Sequence, residues 1–262
     1  MSELARILTL SVVSHGHGPL LIRLLSQLDA QPTLAGSRVV VTLNLRDERF
    51  EPTLFPALDI VVVRNASPRG FGANHNAAFA LCTTRWFGIL NPDLALVDRE
   101  PFNDMMRRAD EAQALNVGLV APRVVGKGLK PEDSVRANLT PWSLLQRAFG
   151  VRTPLDPSGE SRRGSPFFWV AGMCLMARAD AFRDLGGFDE RYFLYCEDFD
   201  LCARMYNRGF SIMLDKQSRI VHDARRDSHR YGVHLRWHLA SLLKVWCSSA
   251  FWRVTYASFR LK

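Results

Sequence analysis

Residues 7–28, ILTLSVVSHGHGPLLIRLLSQL, decide the reading of the fold. Residues 7–14 form a short apolar, β-branched run that stops at His15-Gly16-His17-Gly18, and Leu20, Leu21, Leu24, Leu25 and Leu28 then recur at helical spacing. The order is strand, loop, helix. Residues 39–43, 60–63 and 87–90 read as further buried strands, with helix-compatible segments between several of them. Short apolar strands alternating with helices predict an α/β chain with βαβ units and a mostly parallel central sheet. Ligands in such sheets sit at the carboxyl ends of strands, so the residues that follow each strand are the candidates.

Beyond Asp93 the pattern predicts a helix over 99–114, a strand over 117–121, and surface loops through Pro166 around one short helix at 141–149. Residues 167–177 read as one strand, 180–185 as a short helix, and 198–208 as a helix ended by Gly209.

Composition bounds the class. With 262 residues, 47% hydrophobic and 23% charged, the chain has enough apolar side chain for a core that needs no disulfides, which excludes general disorder. The 5 cysteines are odd in number, contain no C-x-x-C pair and follow no secretory pattern, so a cytoplasmic setting is expected. No apolar run reaches the roughly 20 residues of a membrane span; the longest candidate, over 239–252, is broken by Lys244 and serines.

The net charge of +8 is concentrated at one end, because residues 225–262 carry eight Lys/Arg against Asp227 alone. Residues 231–262 read as a basic amphipathic helical tail, with Leu235, Leu239, Leu242, Leu243 and Trp246 near helical spacing and Arg236, Lys244 and Arg253 among them. Such a tail fits a peripheral contact with the inner face of the plasma membrane, packing against the domain, or the seam of a homodimer. The rest of the chain is nearly neutral and shows no nucleic-acid motif, so no nucleic-acid partner is expected.

Three constellations carry candidate chemistry. Asn91-Pro92-Asp93 follows the apolar run FGIL, which puts the Asp93 carboxylate at a strand end, where it would suit a hard cation or cap a turn. Glu197, Asp198 and Asp200 stand at a helix start behind GGFDERYFLYC. Asp200 and Arg204, at i and i+4, account for a surface pair. That leaves Glu197 and Asp198 beside bulky aromatics, where burial next to like charge suits a general base. The loop NASPRGFGANHN, residues 65–76, offers backbone amides at a helix start with Arg69 nearby, as a phosphate site or as a plain strand-to-helix turn. His222 closes the run SRIVH and is either structural or a metal ligand. His234 and His238 read as solvated or interfacial.

In order, VVSHG, NASPRGFGANHN, NPD, WVAGMCLMAR, GGFDERYFLYCEDFDLCAR and IVH resemble the inverting glycosyltransferases of family 2, over about residues 7–223. Within that family the chain is most similar to bacterial rhamnosyltransferases, on FLYCEDFDLC and on RANLTPWSLLQRAFG, residues 136–150. The resemblance implies a glycosyltransferase A fold in a single Rossmann-like domain, with residues 1–95 as the nucleotide-sugar half and 96–230 as the acceptor and catalytic half. It implies a nucleoside-diphosphate sugar donor such as dTDP-L-rhamnose, a divalent cation (Mg2+ or Mn2+) and a glycan or lipid-linked acceptor. By the same resemblance Asp198 is the base with Glu197 beside it, and Asp93 and His222 hold the metal. Ser14, His15, Asn44, Arg69, Gly70, Asn74 and Asn91 bind the donor, while Trp169 and Gly172 face the acceptor.

The sequence departs from the family pattern in places. Asn91 stands where the first carboxylate of Asp-x-Asp is usual, Ser14-His15-Gly16 replaces Thr-Tyr-Asn, and Asn44 stands near the acid expected after the second strand. A catalytically inactive sugar-nucleotide-binding or scaffold subunit is the alternative reading. A nucleotidyltransferase is disfavoured by the absence of a Gly-rich, Lys-bearing start.

Overall fold

The computed structural model describes residues 2–112, 115–126, 128–149, 160–222 and 231–260. Its first half comprises α1 (Glu3–Ile7), β1 (Leu8–Ser14), α2 (Gly18–Asp29), β2 (Arg38–Leu43), β3 (Asp59–Arg64), α3 (Phe71–Phe79) and β4 (Trp86–Leu90). There follow β5 (Leu94–Leu96), α4 (Pro101–Glu111), β6 (Val117–Val125), β7 (Val135–Ala137), α5 (Pro141–Ala148), β8 (Glu160–Ser161), β9 (Phe168–Val170) and β10 (Cys174–Arg178). The last elements are α6 (Ala179–Asp184), α7 (Glu197–Arg208), β11 (Ser211–His222), α8 (Tyr231–Trp246) and α9 (Ser249–Phe259).

The five leucines of α2 are all buried, as their spacing predicts. Side chains along the central strands alternate between two cores. Val39, Val41 and Leu90 join α2 and α4 on one face of the sheet. Val40, Phe87 and Ile89 join α6, α7 and α9 on the other. Both faces are covered, which is why these strands read as continuous apolar runs.

The central sheet has the order β3-β2-β1-β4-β10-β6-β11-β5, with β8 beside β11. The first four strands are parallel. β6 and β11 keep that direction, whereas β10, β5 and β8 run against it. The predicted mostly parallel sheet is therefore present, with β10 inserted antiparallel between β4 and β6.

Two expectations change. The strand expected over 167–177 is split: β9 pairs with β7 in a separate ribbon, and β10 enters the main sheet. The tail is two helices, and Leu242, Val245, Phe251 and Val254 are buried in the core behind α7 while Leu235, Leu239 and Leu243 stay exposed. The predicted helix end at Ala114, loop residues 150–159 and the basic positions Arg225, Arg226, Arg230 and Lys262 lie outside the described residues. Among the described residues no helix is long and apolar enough to cross a membrane.

Candidate active site

The site is assembled where β1, β2, β4 and β11 end. Antiparallel pairing of β11 with β5 sets His222 opposite Leu94, next in sequence to Asp93. His222 Nε2 lies 3.3 Å from Asp93 Oδ2, and His222 Nδ1 lies 3.0 Å from Glu132 Oε2. Glu132 thus orients the imidazole from behind, as carboxylates do for ligating histidines. Asp93 Oδ1 is buried with no hydrogen-bond partner. Burial acts to raise the Asp93 pKa, but the hydrogen bond and charge of His222 outweigh it and hold the carboxyl below its usual range. For His222 burial acts downward, and Asp93 and Glu132 together push it above the ordinary imidazole value. An orphaned carboxylate oxygen beside a ring nitrogen is a donor set that fits a hard divalent cation. Among the described residues no group of three His, Cys, Asp or Glu encloses a point. The protein's share of such a site is Asp93 with His222.

A short run of backbone links this pair to the acidic helix start. Asn91 N donates to Met173 O at 2.9 Å, and the neighbouring Gly172 N donates to Asp198 Oδ2 at 2.9 Å. This is the point where the expected strand breaks, so the split of 167–177 turns the Gly172 peptide towards the carboxylate. Asp198 Oδ1 also accepts from Phe199 N at 2.8 Å. Burial raises the Asp198 pKa, opposed by those N–H donors and by the charge of Arg136. Glu197 is 6% exposed, its Oε2 has no partner, and burial followed by the charge of Asp198 drives its carboxyl well above the usual range. Glu197 has only its own backbone N–H to stabilise its ionised form, whereas Asp198 has the N–H groups of Gly172 and Phe199 and the charge of Arg136. The pair therefore favours an ionised Asp198 beside a protonated Glu197.

Tyr195 (φ 73°) and Cys196 (φ 65°) both take left-handed backbone just before Glu197. Such conformations are unfavourable for non-glycine residues and persist where packing enforces them. Here α8 supplies the packing: His234 Nδ1 lies 2.8 Å from Tyr195 Oη, Trp237 packs on Phe193, and Ser241 Oγ donates to Leu194 O at 3.0 Å. His234 is therefore interfacial, one of its two readings, and holds the loop before α7. The Asp200–Arg204 pair is present at 2.6 Å, but it is enclosed rather than on the surface, because α7 is packed between the sheet and α9 and Asp200 is only 4% exposed.

The loop before α3 is held by a buried asparagine network. Asn44 Oδ1 accepts from Arg69 N (2.8 Å) and Asn65 Nδ2 (2.8 Å), while its Nδ2 donates to Arg69 O (3.0 Å) and lies 3.1 Å from His15 Nδ1. Asn74 accepts from Asn65 at 2.7 Å and donates to Arg69 O at 3.1 Å. The side chains of Asn44 and Asn74 thus hold the loop in shape. The Arg69 guanidinium remains exposed, 3.7 Å from Glu190. An acid does follow the second strand: Glu48 accepts from Ser14 Oγ, and its Oε2 accepts from Gly16 N at 3.2 Å. Sequence reading passed over it because it stands four residues beyond Asn44 in an irregular loop. Trp169 is 3% exposed, with its indole N–H donating to Ala137 O at 2.8 Å and Arg136 lying over its ring.

Gly70 joins the two halves of the site. Phe71 N donates to Phe193 O at 2.9 Å, and a Cβ on Gly70 would stand 2.7 Å from that same oxygen. Gly70→Ala should therefore push the loop before α3 off the loop before α7 and lower stability by about 1–3 kcal/mol, read as a fall in Tm. An unchanged Tm would show that this contact does not constrain the loop.

An open α/β sheet thus gathers an acid–histidine pair at a strand end and a buried acid pair at a helix start, an arrangement suited to group transfer. Residues 5–239 match the family described as Glycosyltransferase like family 2, and the chain belongs to that family. Rhamnosyltransferase WbbL of Escherichia coli K12 is 24% identical over 244 residues, covering 89% of this chain and 90% of the relative. An N-acetylglucosaminyl-diphospho-decaprenol L-rhamnosyltransferase of Mycobacterium tuberculosis is 35% identical over 101 residues, only 38% of this chain and 29% of that protein. Among solved structures, GalNAc-T7 with UDP, GalNAc and Mn2+ superposes with TM-score 0.68 at 14% identity, over 95% of this chain and 49% of that one. The mannosyltransferase PcManGT of Pyrobaculum calidifontis with GDP-Man and Mn2+ gives 0.66 at 16% identity, over 97% and 69%. These likenesses establish the glycosyltransferase A fold.

Proposed function

We propose that the chain is an inverting glycosyltransferase that moves L-rhamnose from dTDP-L-rhamnose to a glycan or lipid-linked acceptor in bacterial surface polysaccharide assembly, with Mg2+ or Mn2+, in the cytoplasm and peripherally at the membrane. The observation that carries this reading is the backbone path from Asn91 through Met173 and Gly172 to Asp198, which joins a cation-competent acid to a buried base at one sheet edge. The names of the Escherichia coli and Mycobacterium tuberculosis relatives support the sugar and the lipid-linked acceptor.

Residues 1–95 then supply the donor half, 96–230 the acceptor half, and α8 the cover of the catalytic loop. Ser14, His15, Arg69, Gly70 and Asn91 border the donor, with Glu48 closing the loop after β1. Asp93 and His222 hold the cation, which when bound neutralises charge growing on the leaving diphosphate. Asp198, aimed by Gly172 N and Phe199 N, takes the acceptor hydroxyl proton as the oxygen attacks the anomeric carbon from the side opposite the leaving group. One displacement inverts that carbon without a covalent intermediate. Glu197, protonated, donates a hydrogen bond into the same space.

A panel of dTDP-, UDP- and GDP-sugars with Mg2+ or Mn2+ tests the donor. Nucleotide release fastest from dTDP-L-rhamnose is expected. Faster release from a UDP- or GDP-sugar would reassign the donor, and a thermal shift without release from any donor, acceptor present, would favour the inactive subunit.

A further inference from the structure

At the opposite end of α7 from Glu197 and Asp198, about 14 Å along the helix, lies a second feature that glycosyl transfer does not use. A groove of about 470 Å³ is lined by Arg163, Arg253 and Arg260 together with Tyr206, Asn207 and Tyr256, and among the described residues no carboxylate lines it. Arg253 and Tyr256 of α9 and its C-cap Arg260, which keeps right-handed helical backbone, fall on one stripe at i, i+3 and i+7. Arg163 donates to Asn207 O at 2.8 Å, which ties that guanidinium to the end of α7. Arg253 and Arg260 have no carboxylate partner among the described residues. Three like charges around one concavity repel one another unless an anion sits between them, and a cleft focuses their field.

The surroundings indicate where that anion belongs. Beside the groove α9 exposes Trp252 (48%), Tyr256 (65%) and Phe259 (68%). Neither α8 nor α9 contains an acidic residue, and α8 exposes Leu235, Leu239 and Leu243. The start of α5 is tied to the same face by Asn138 Nδ2 donating to Thr255 Oγ1 (2.7 Å) and Trp246 Nε1 donating to Leu139 O (2.9 Å), and α5 adds exposed Trp142 and Leu145. Amphipathic aromatics next to unpaired arginines match the boundary between acyl chains and phosphate headgroups.

We propose that the Arg163–Arg253–Arg260 groove is a phosphate-headgroup site through which the α9 face docks on an anionic bilayer. The inference rests on the peripheral membrane setting proposed above and is independent of which sugar the chain transfers. Flotation of the full chain with phosphatidylcholine vesicles, with and without phosphatidylglycerol, tests it. Binding should require phosphatidylglycerol, weaken with salt, and fall by roughly tenfold to thirtyfold in R253Q/R260Q. R99Q/R183Q removes the same charge elsewhere and should bind like the parent chain, and circular dichroism confirms that both variants fold. Equal loss in the two double variants, or no binding to phosphatidylglycerol vesicles, overturns the proposal. So does a thermal shift with glycerol phosphate that requires Arg253 and Arg260 without any vesicle binding, which would make the groove a site for soluble phosphate. Flotation lost because the chain pairs through α8 and α9, seen as a dimer in sedimentation, likewise overturns it.

Discussion

Asp198→Asn is expected to lower turnover by about 10²-fold or more while donor affinity stays unchanged. The substitution keeps size and retains one oxygen for the N–H of Gly172 or Phe199, but it removes the proton acceptor. The same carboxylate sets the pH dependence. Burial raises its pKa, so the base form is lost as pH falls through a midpoint above the usual carboxylate range, and kcat/KM should rise with pH across it. That limb should vanish in Asp198→Asn. It should persist in Glu197→Gln, which mimics the protonated neighbour. A limb that survives in Asp198→Asn, or a larger loss of turnover in Glu197→Gln, would move the base to Glu197.

Asp93→Ala is expected to abolish cation-dependent donor binding with little change in Tm. Among the described residues Asp93 Oδ1 makes no hydrogen bond and Oδ2 pairs with His222, so truncation disturbs little of the packing. His222 would still be held by Glu132, but one imidazole binds a hard cation poorly without a carboxylate. Calorimetric titration with dTDP-L-rhamnose, with and without Mn2+, measures the loss; donor and cation affinities equal to those of the parent chain would remove Asp93 from the site.

Strand ends and helix stripes were legible in the sequence because they depend on local period. The five leucines of α2, the acid after β4 and the acidic start of α7 are all local features. Residues placed by distant pairing were not legible. Glu132 reaches His222 across 90 positions and Glu48 reaches Ser14 across 34, and neither sits in a pattern that marks it. The apolar run over 167–177 hides its break, because what turns the Gly172 peptide is a carboxylate on another element. In α8 the spacing of the leucines marks a helix but cannot say that Leu242 is buried while Leu239 and Leu243 face outward, since packing against α9 decides which side is covered.

The central claim is a division of labour along one sheet edge, Asp93 holding the donor's charged end and Asp198 receiving the proton. Donor affinity and nucleotide release measured side by side on Asp93→Ala and Asp198→Asn test it most directly. Asp93→Ala should fail to bind donor with Mn2+ present, whereas Asp198→Asn should bind it like the parent chain and not turn it over. Loss of binding in both, or of turnover with intact binding in both, would contradict it.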